Sequence, residues 1–222
     1  GYEPCTMQAI KEYGAERKSL GSGQVLKEPY TFDKARLVTR EMADALSLDL
    51  AAKHLVTDQL VLYIGYDRAS LEDPKIAKEY TGKVAMDHYG RKVPSHANGT
   101  INLSRQTAST SMIVNAAMEL YDRIVNPKLL VRRISITAGK IVKEDQAQKT
   151  VPFQQFDLFS PMDEQAAAQE AEEKALEQEK KLQTAVLAIQ QRYGKNSLVK
   201  GMNMQEGATM MERNGQIGGH KA

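Results

Sequence analysis

The chemistry this chain can offer lies in small polar residues set in alternating runs. Thr100, Asn102 and Ser104 alternate with Ile101 and Leu103, and Arg133, Ser135 and Thr137 alternate with Ile134 and Ile136. Ser19 and Gly21 fall in a glycine-containing run, Lys18–Leu26. Tyr63 falls opposite Leu62 and Ile64 in the strand-like stretch Asp58–Tyr66. At period two the polar members share one face and the apolar members the other. Hydroxyls, amides, backbone N–H groups and a few Arg or Lys are what a phosphate oxygen needs as partners. Lys18, Ser19, Gly21, Tyr63 and Thr100, with Asn102, Ser104, Arg105, Arg133 and Ser135, are therefore the candidate phosphate contacts, a set without a carboxylate. Tyr63 could stack on a base or lie flat against its neighbours. Arg132 and Arg133 are consecutive, so only one can share this face, and the other is expected to be a solvated edge charge.

Other chemistries find no support. His54, His88, His96 and His220 are scattered, with no Cys or His at ligand spacing, so no metal site is expected. Ser22, Ser95 and Ser135 lack a nucleophile elbow. Gly21-Ser-Gly23 lacks the Lys and helix of a phosphate-binding loop. Asp87-His88 reads as a loop pair. No catalytic residue is assigned and no cofactor is expected in this chain.

A second kind of chemistry sits in Gln155-Phe156-Asp157-Leu158-Phe159, an apolar and aromatic pentapeptide in polar surroundings. Leu158 and Phe159 can fill an apolar pocket while the Gln155 amide satisfies polar groups at its edge. The alternative is a segment that docks on its own domain.

The elements that must position these groups follow from periodicity. Lys18–Leu26 reads as a strand stopped by Pro29. A helix from Thr31 to about His54 places Ala35, Val38, Met42 and Leu46 on one face. Thr31 is its cap, and Asp33 lies near the positive end of its dipole. The strand to Tyr66 follows, with Leu60, Leu62 and Ile64 inward. Residues 67–98 read as irregular, with a short strand Lys83–His88 and turn signals at Gly90 and Asn98-Gly99. A strand Thr100–Gln106, a helix Ala108–Val125 capped by Thr107 or Ser109, and a strand Val131–Lys140 complete the pattern. The expected fold is α+β: a four-stranded sheet with two helices on one face, in the order βαββαβ. A long helix from about residue 163 to Arg192 follows, with a narrow stripe of Leu182, Val186, Ile189 and Tyr193. It is expected to stay off the domain. From Gly194 the chain is expected to be disordered, or ordered only by a contact.

Composition sets outer limits. The 222 residues are 41% hydrophobic and 26% charged, ordinary for a globular protein. No apolar run approaches the length of about 18 residues that a membrane helix needs. The N-terminus lacks the pattern of a signal peptide, and Gly1 in place of Met suggests an excised fragment. Cys5 is alone, which fits a reducing, cytoplasmic location. Residues 1–150 hold 22 Lys and Arg against 18 Asp and Glu, and the remainder 8 against 10. A mildly basic domain with an acidic tail leans toward nucleic acid.

Lys18-Ser-Leu-Gly-Ser-Gly-Gln-Val-Leu26, Asn98-Gly-Thr-Ile-Asn-Leu103, Leu130-Val-Arg-Arg-Ile-Ser135 and Gln155–Phe159, in this order around a two-helix sheet, resemble the C-terminal part of a bacterial Y-family DNA polymerase. The likeness is closest to the UmuC-like branch of Gram-positive bacteria and covers nearly the whole chain. It implies a thumb end and tether at 1–17 and a little-finger domain at 18–140. A linker with a sliding-clamp peptide would occupy 141–162, and a helical, then irregular, tail 163–222. It implies a domain that lies along primer-template duplex, touching phosphates of both strands, in translesion synthesis, DNA repair and the SOS response. It implies that Gln155, Phe156, Asp157, Leu158 and Phe159 bind the sliding clamp. The palm carboxylates that hold Mg²⁺ belong to the N-terminal part of such a polymerase, so this chain is expected to be inactive alone and nucleoid-associated when on DNA. The reading from another class is a protein-interaction module with no direct DNA role.

Overall fold

The computed structural model describes residues 6–8, 18–147, 162–217 and 220–221. Four long strands form its centre: β1 (Ser19–Tyr30), β2 (Leu55–Tyr66), β5 (Ala97–Thr107) and β6 (Val131–Gly139). They lie in the order β1-β6-β2-β5, every neighbour antiparallel. Helices α1 (Phe32–Ala52) and α4 (Thr110–Ile124) cover one face. Ala35, Val38, Met42 and Leu46 of α1 are buried, as are Ile113, Ala117 and Leu120 of α4. Opposite them lie Leu60, Leu62 and Ile64 of β2 and Ile134 and Ile136 of β6. A fully buried side chain of this size contributes about 1.5–3 kcal/mol, so this one layer supplies the main driving force. The Ser109 hydroxyl caps α4 by accepting from Met112 N at 3.3 Å. At α1, Thr31 is extended and its carbonyl accepts from Ala35 N, but its side chain makes no cap bond.

The expected pattern needs four corrections. A fifth short strand, β7 (Val142–Lys143), pairs with Leu55 and Val56 at the start of β2, so the sheet has five strands rather than four. Pro29 does not stop β1, which runs on to Tyr30. β1 lies at the sheet's edge, and its pairing with β6 is interrupted between Val25 and Tyr30, so the missing N–H of Pro29 breaks no ladder bond. Asn98-Gly99 is not a turn but part of β5, opposite Tyr63 and Leu62. Gly99 is needed there because a Cβ would stand 2.9 Å from Leu120 and 3.0 Å from Ile124 of α4. Of residues 67–98, expected to be irregular apart from a short strand Lys83–His88 and a turn at Gly90, the first part forms short helices α2 (Ala69–Glu72) and α3 (Pro74–Glu79), while the expected strand and turn are part of a hairpin of β3 (Val84–Met86) and β4 (Lys92–Pro94).

The C-terminal region docks on this core. Helix α5 (Met162–Tyr193) does not use the expected stripe, since Leu182 is 65% and Tyr193 66% exposed. Its contact is polar. Gln183, only 6% exposed, donates to the Ala108 carbonyl and to Thr110 Oγ1, both at 2.9 Å. The Glu179 carboxylate accepts from Ser111 N at 2.8 Å and from the Ser109 hydroxyl. An anion there meets the positive end of the α4 dipole. Polar docking of this kind leaves no hydropathy signal.

Beyond Gly194, whose φ of 94° ends α5, the chain crosses α1. A 3₁₀ turn (Gly201–Met204) and α6 (Met210–Asn214) meet the wholly buried Glu41 of α1. Its carboxylate accepts from Asn203 Nδ2 at 2.7 Å, Thr209 N at 2.8 Å and Met210 N at 3.2 Å. Lys200 pairs with Asp44, Lys34 with Glu206 and Lys27 with Glu212. The segment is thus ordered by contact. The last short strands, β8 (Gln216–Ile217) and β9 (His220–Lys221), pair with each other.

Two outcomes follow. Gln183→Met keeps the volume but removes both hydrogen bonds at a buried position. It should cost about 1–3 kcal/mol, seen as a lower urea midpoint. Arg36 holds Asp122 in a bidentate pair at 2.7 and 2.9 Å, and that hydrogen bonding lowers the Asp122 carboxyl pKa despite some burial. A lowered folded-state pKa stabilises the fold above the unfolded value, near 3.9, and the benefit is lost as pH falls through the folded value. Both partners are more than one third exposed, so the effect should be about 0.2–1 kcal/mol. Asp122→Asn should lower stability at pH 6, and its difference from the parent should shrink between pH 5 and pH 3.

Candidate nucleic-acid interface

The strand register sorts the sheet face away from α1 and α4 into transverse rows. Ser19, Gly139, Gln59 and Asn102 form one; Gly21, Thr137, Val61 and Thr100 the next. Gly23, Ser135, Tyr63 and Asn98 form a third, and Val25, Arg133 and Gly65 a partial fourth. With strands about 4.8 Å apart and alternate residues about 6.8 Å apart, the face measures roughly 14 by 20 Å. That exceeds the width of about 12 Å of a DNA major groove. None of the fifteen positions is Asp or Glu.

The face is low as well as polar. A Cβ on Gly21 would stand 2.5 Å from Thr137 Oγ1 and 2.8 Å from the Ile136 carbonyl. One on Gly139 would stand 2.8 Å from Gln59 Oε1. Glycine at these places lets neighbouring side chains lean across the strand, and it keeps the backbone open to a ligand. Gln59 Nε2 donates to Asn102 Oδ1 at 3.1 Å, and the Ser135 hydroxyl donates to the Ser22 carbonyl at 3.3 Å.

Cations flank the face. Lys18 precedes Ser19 and Lys140 follows Gly139, and since Ser19 and Gly139 are register partners, both lysines stand at one end. Arg133 stands at the other, its guanidinium 6.0 Å from the Tyr63 ring centre. None of the three has a carboxylate partner among the described residues. The Tyr63 ring stacks on His96 at 4.7 Å and 28°. It lies flat between neighbours and is not a free platform.

Of the residues read from the sequence, Ser19, Gly21, Tyr63, Thr100, Asn102, Arg133 and Ser135 come together in the rows, with Lys18 at their end. Ser104 is exposed, in a stretch of β5 where the register with β2 shifts. Arg105 is not brought to the rows: its guanidinium lies 3.8 Å from Glu172 of α5. Arg132 is not a free edge charge. It occupies the register shift between Val131 and Arg133, donates to the Lys27 carbonyl at 2.9 Å and lies 3.7 Å from Asp67. Sequence reasoning missed Gln59, Asn98 and Lys140. Period two from Tyr63 and Thr100 reaches the first two, but Asn98-Gly99 carries a turn signature. Lys140 required knowing that β6 ends beside Ser19. Gln155–Phe159 lies outside the described residues.

No three of His, Cys, Asp and Glu among the described residues come together to hold a metal ion, and no described helix is long and apolar enough to cross a membrane. No curated protein sequence matches the chain. The model of the impB/mucB/samB family C-terminal domain matches residues 17–151, a span holding the whole five-stranded sheet and both core helices. The chain belongs to that family, the C-terminal region of UmuC-like Y-family polymerases.

Proposed function

We propose that this chain is the DNA-gripping and clamp-tethering region of a translesion polymerase, with the open sheet face laid along primer-template duplex. The observation that carries the reading is the carboxylate-free face with Lys18 and Lys140 at one end and Arg133 at the other. Hydroxyls, amides and cations position a phosphate backbone without reading its sequence. A face wider than a groove can reach phosphates of both strands. Residues 155–159 are proposed to hold the sliding clamp, supported by Phe156, Leu158 and Phe159 standing in a polar stretch. A peptide carried on a linker loses conformational entropy when it binds, so modest affinity is expected.

Salt dependence tests the first part. Each phosphate neutralised adds about 0.9 to the negative slope of log K against log salt. With roughly three to five contacts, affinity should be micromolar or weaker near physiological salt. Lys18→Ala with Arg133→Ala should flatten the slope by about two and weaken all duplexes alike. An unchanged slope would remove these residues from the interface, and salt-insensitive binding would favour a protein-interaction module.

The clamp contact is tested with a synthetic peptide spanning residues 151–162, titrated into clamp. Replacing Leu158 and Phe159 with Ala removes side chains worth about 1.5–3 kcal/mol each when buried. Measurable binding should vanish while the melting temperature of the whole chain stays put. A peptide that does not bind, beside a whole chain that does, would move the contact onto the folded surface.

A further inference from the structure

The hairpin β3–β4 leaves three large apolar side chains exposed. Val84 is 50%, Met86 64% and Tyr89 77% exposed. Tyr89 sits at the tip, in the five-residue connection Asp87–Arg91. That tip is built rather than loose. The Asp87 carboxylate accepts from Tyr89 N and Arg91 N, both at 2.9 Å, and from Arg91 Nε at 2.7 Å. Asp87 N donates back to the Arg91 carbonyl at 2.9 Å, and Gly90 takes the left-handed φ of 73° that closes the turn. The Arg91 hydrogen bonds hold the Asp87 carboxyl below the usual carboxylate range, so it stays an acceptor through neutral pH.

This frame holds the Tyr89 ring outward between Arg91 and His88. The Arg91 guanidinium lies 4.9 Å from its centre, and the His88 ring meets it edge-on at 5.4 Å. The aromatic ring and the methionine gain no burial from the fold and are open to a ligand. Asp87 is spent on Arg91, while Lys83 and Lys92 have no carboxylate partner among the described residues. A rigid aromatic tip flanked by cations suits a polyanion that presents flat rings, which is unpaired nucleic acid. The hairpin also springs from the end of the open face. Ser95 N donates to the Lys83 carbonyl at its base, and the next residue, His96, stacks on Tyr63.

We propose that Tyr89 is a stacking platform for an unpaired base, and that Lys92, with Lys83 toward the hairpin base, holds the neighbouring phosphates. The proposal deepens the duplex-holding reading of the sheet face: the hairpin takes a single-stranded stretch continuous with that duplex.

The whole chain contains no tryptophan, so Tyr89→Trp installs a single, selectively excitable tryptophan at the tip. Oligo(dT) should quench it, and quenching should weaken with salt. Tyr89→Ala should weaken binding to a primer-template with a single-stranded overhang by about fivefold or more, the loss of one base stack. It should leave blunt-duplex affinity unchanged, and Tyr89→Phe should retain the overhang contribution. Melting temperatures of all three variants should match the parent, because the side chain is exposed. A tryptophan unaffected by oligo(dT), or an overhang contribution surviving in Tyr89→Ala, would overturn the proposal. The oligo(dT) arm contains no duplex. Loss of duplex binding in Lys18→Ala with Arg133→Ala therefore bears on the sheet face alone, and its persistence would not rescue a silent hairpin.

Discussion

The register between β2 and β6 is the constraint on which the rest depends. Leu60 faces Ala138, Leu62 faces Ile136 and Ile64 faces Ile134, so both central strands turn their apolar residues to the same side. A slip of one residue would move Gln59, Val61 and Tyr63 into the core and these apolar residues into water. The same pairing that buries the core therefore assembles the polar face, and neither can change without the other. The register shift beyond Gly65 absorbs Arg132, which lets Val131 and Ile134 both be buried although they are three residues apart. It also leaves Arg133 on the open face while Arg132 turns to Asp67 and the Lys27 carbonyl.

The helix side of the molecule is governed by a different rule. A carboxyl group inside a protein is tolerated only when its polar atoms find hydrogen-bond partners. Glu41 is wholly buried, and its partners come from Asn203, Thr209 and Met210. Those residues lie more than 160 positions downstream. The C-terminal segment is therefore part of the fold's polar accounting rather than an appendage. Glu179 and Gln183 make the same case at the N-terminus of α4, where helix ends leave N–H groups in need of acceptors. The two sides of the sheet also divide the charge. Acidic residues of the tail pair with Lys27 and Lys34, whereas Lys18, Lys140 and Arg133 at the open face have no carboxylate partner among the described residues. A phosphate-facing surface works only if its cations are not already satisfied from within.

The sequence by itself determined the two core helices, the four long strands and the identity of the polar face. Each of these is written in a local period: 3.6 for Ala35, Val38, Met42 and Leu46, and two for Leu60, Leu62 and Ile64 or Thr100 and Asn102. A local period says which residues share a face, but not which elements meet. Only the tertiary structure decided that β1 passes through Pro29 as an edge strand, and that Gly99 is a contact with α4 rather than a turn. It alone brought Lys140 beside Ser19, turned Arg105 to Glu172 and fastened the tail on Glu41. The physical reason is common to all of these. They are hydrogen bonds, ion pairs and steric fits between residues far apart in the chain. Such contacts are specific in geometry yet leave no periodic trace in hydropathy, so they become visible only once the chain has closed on itself.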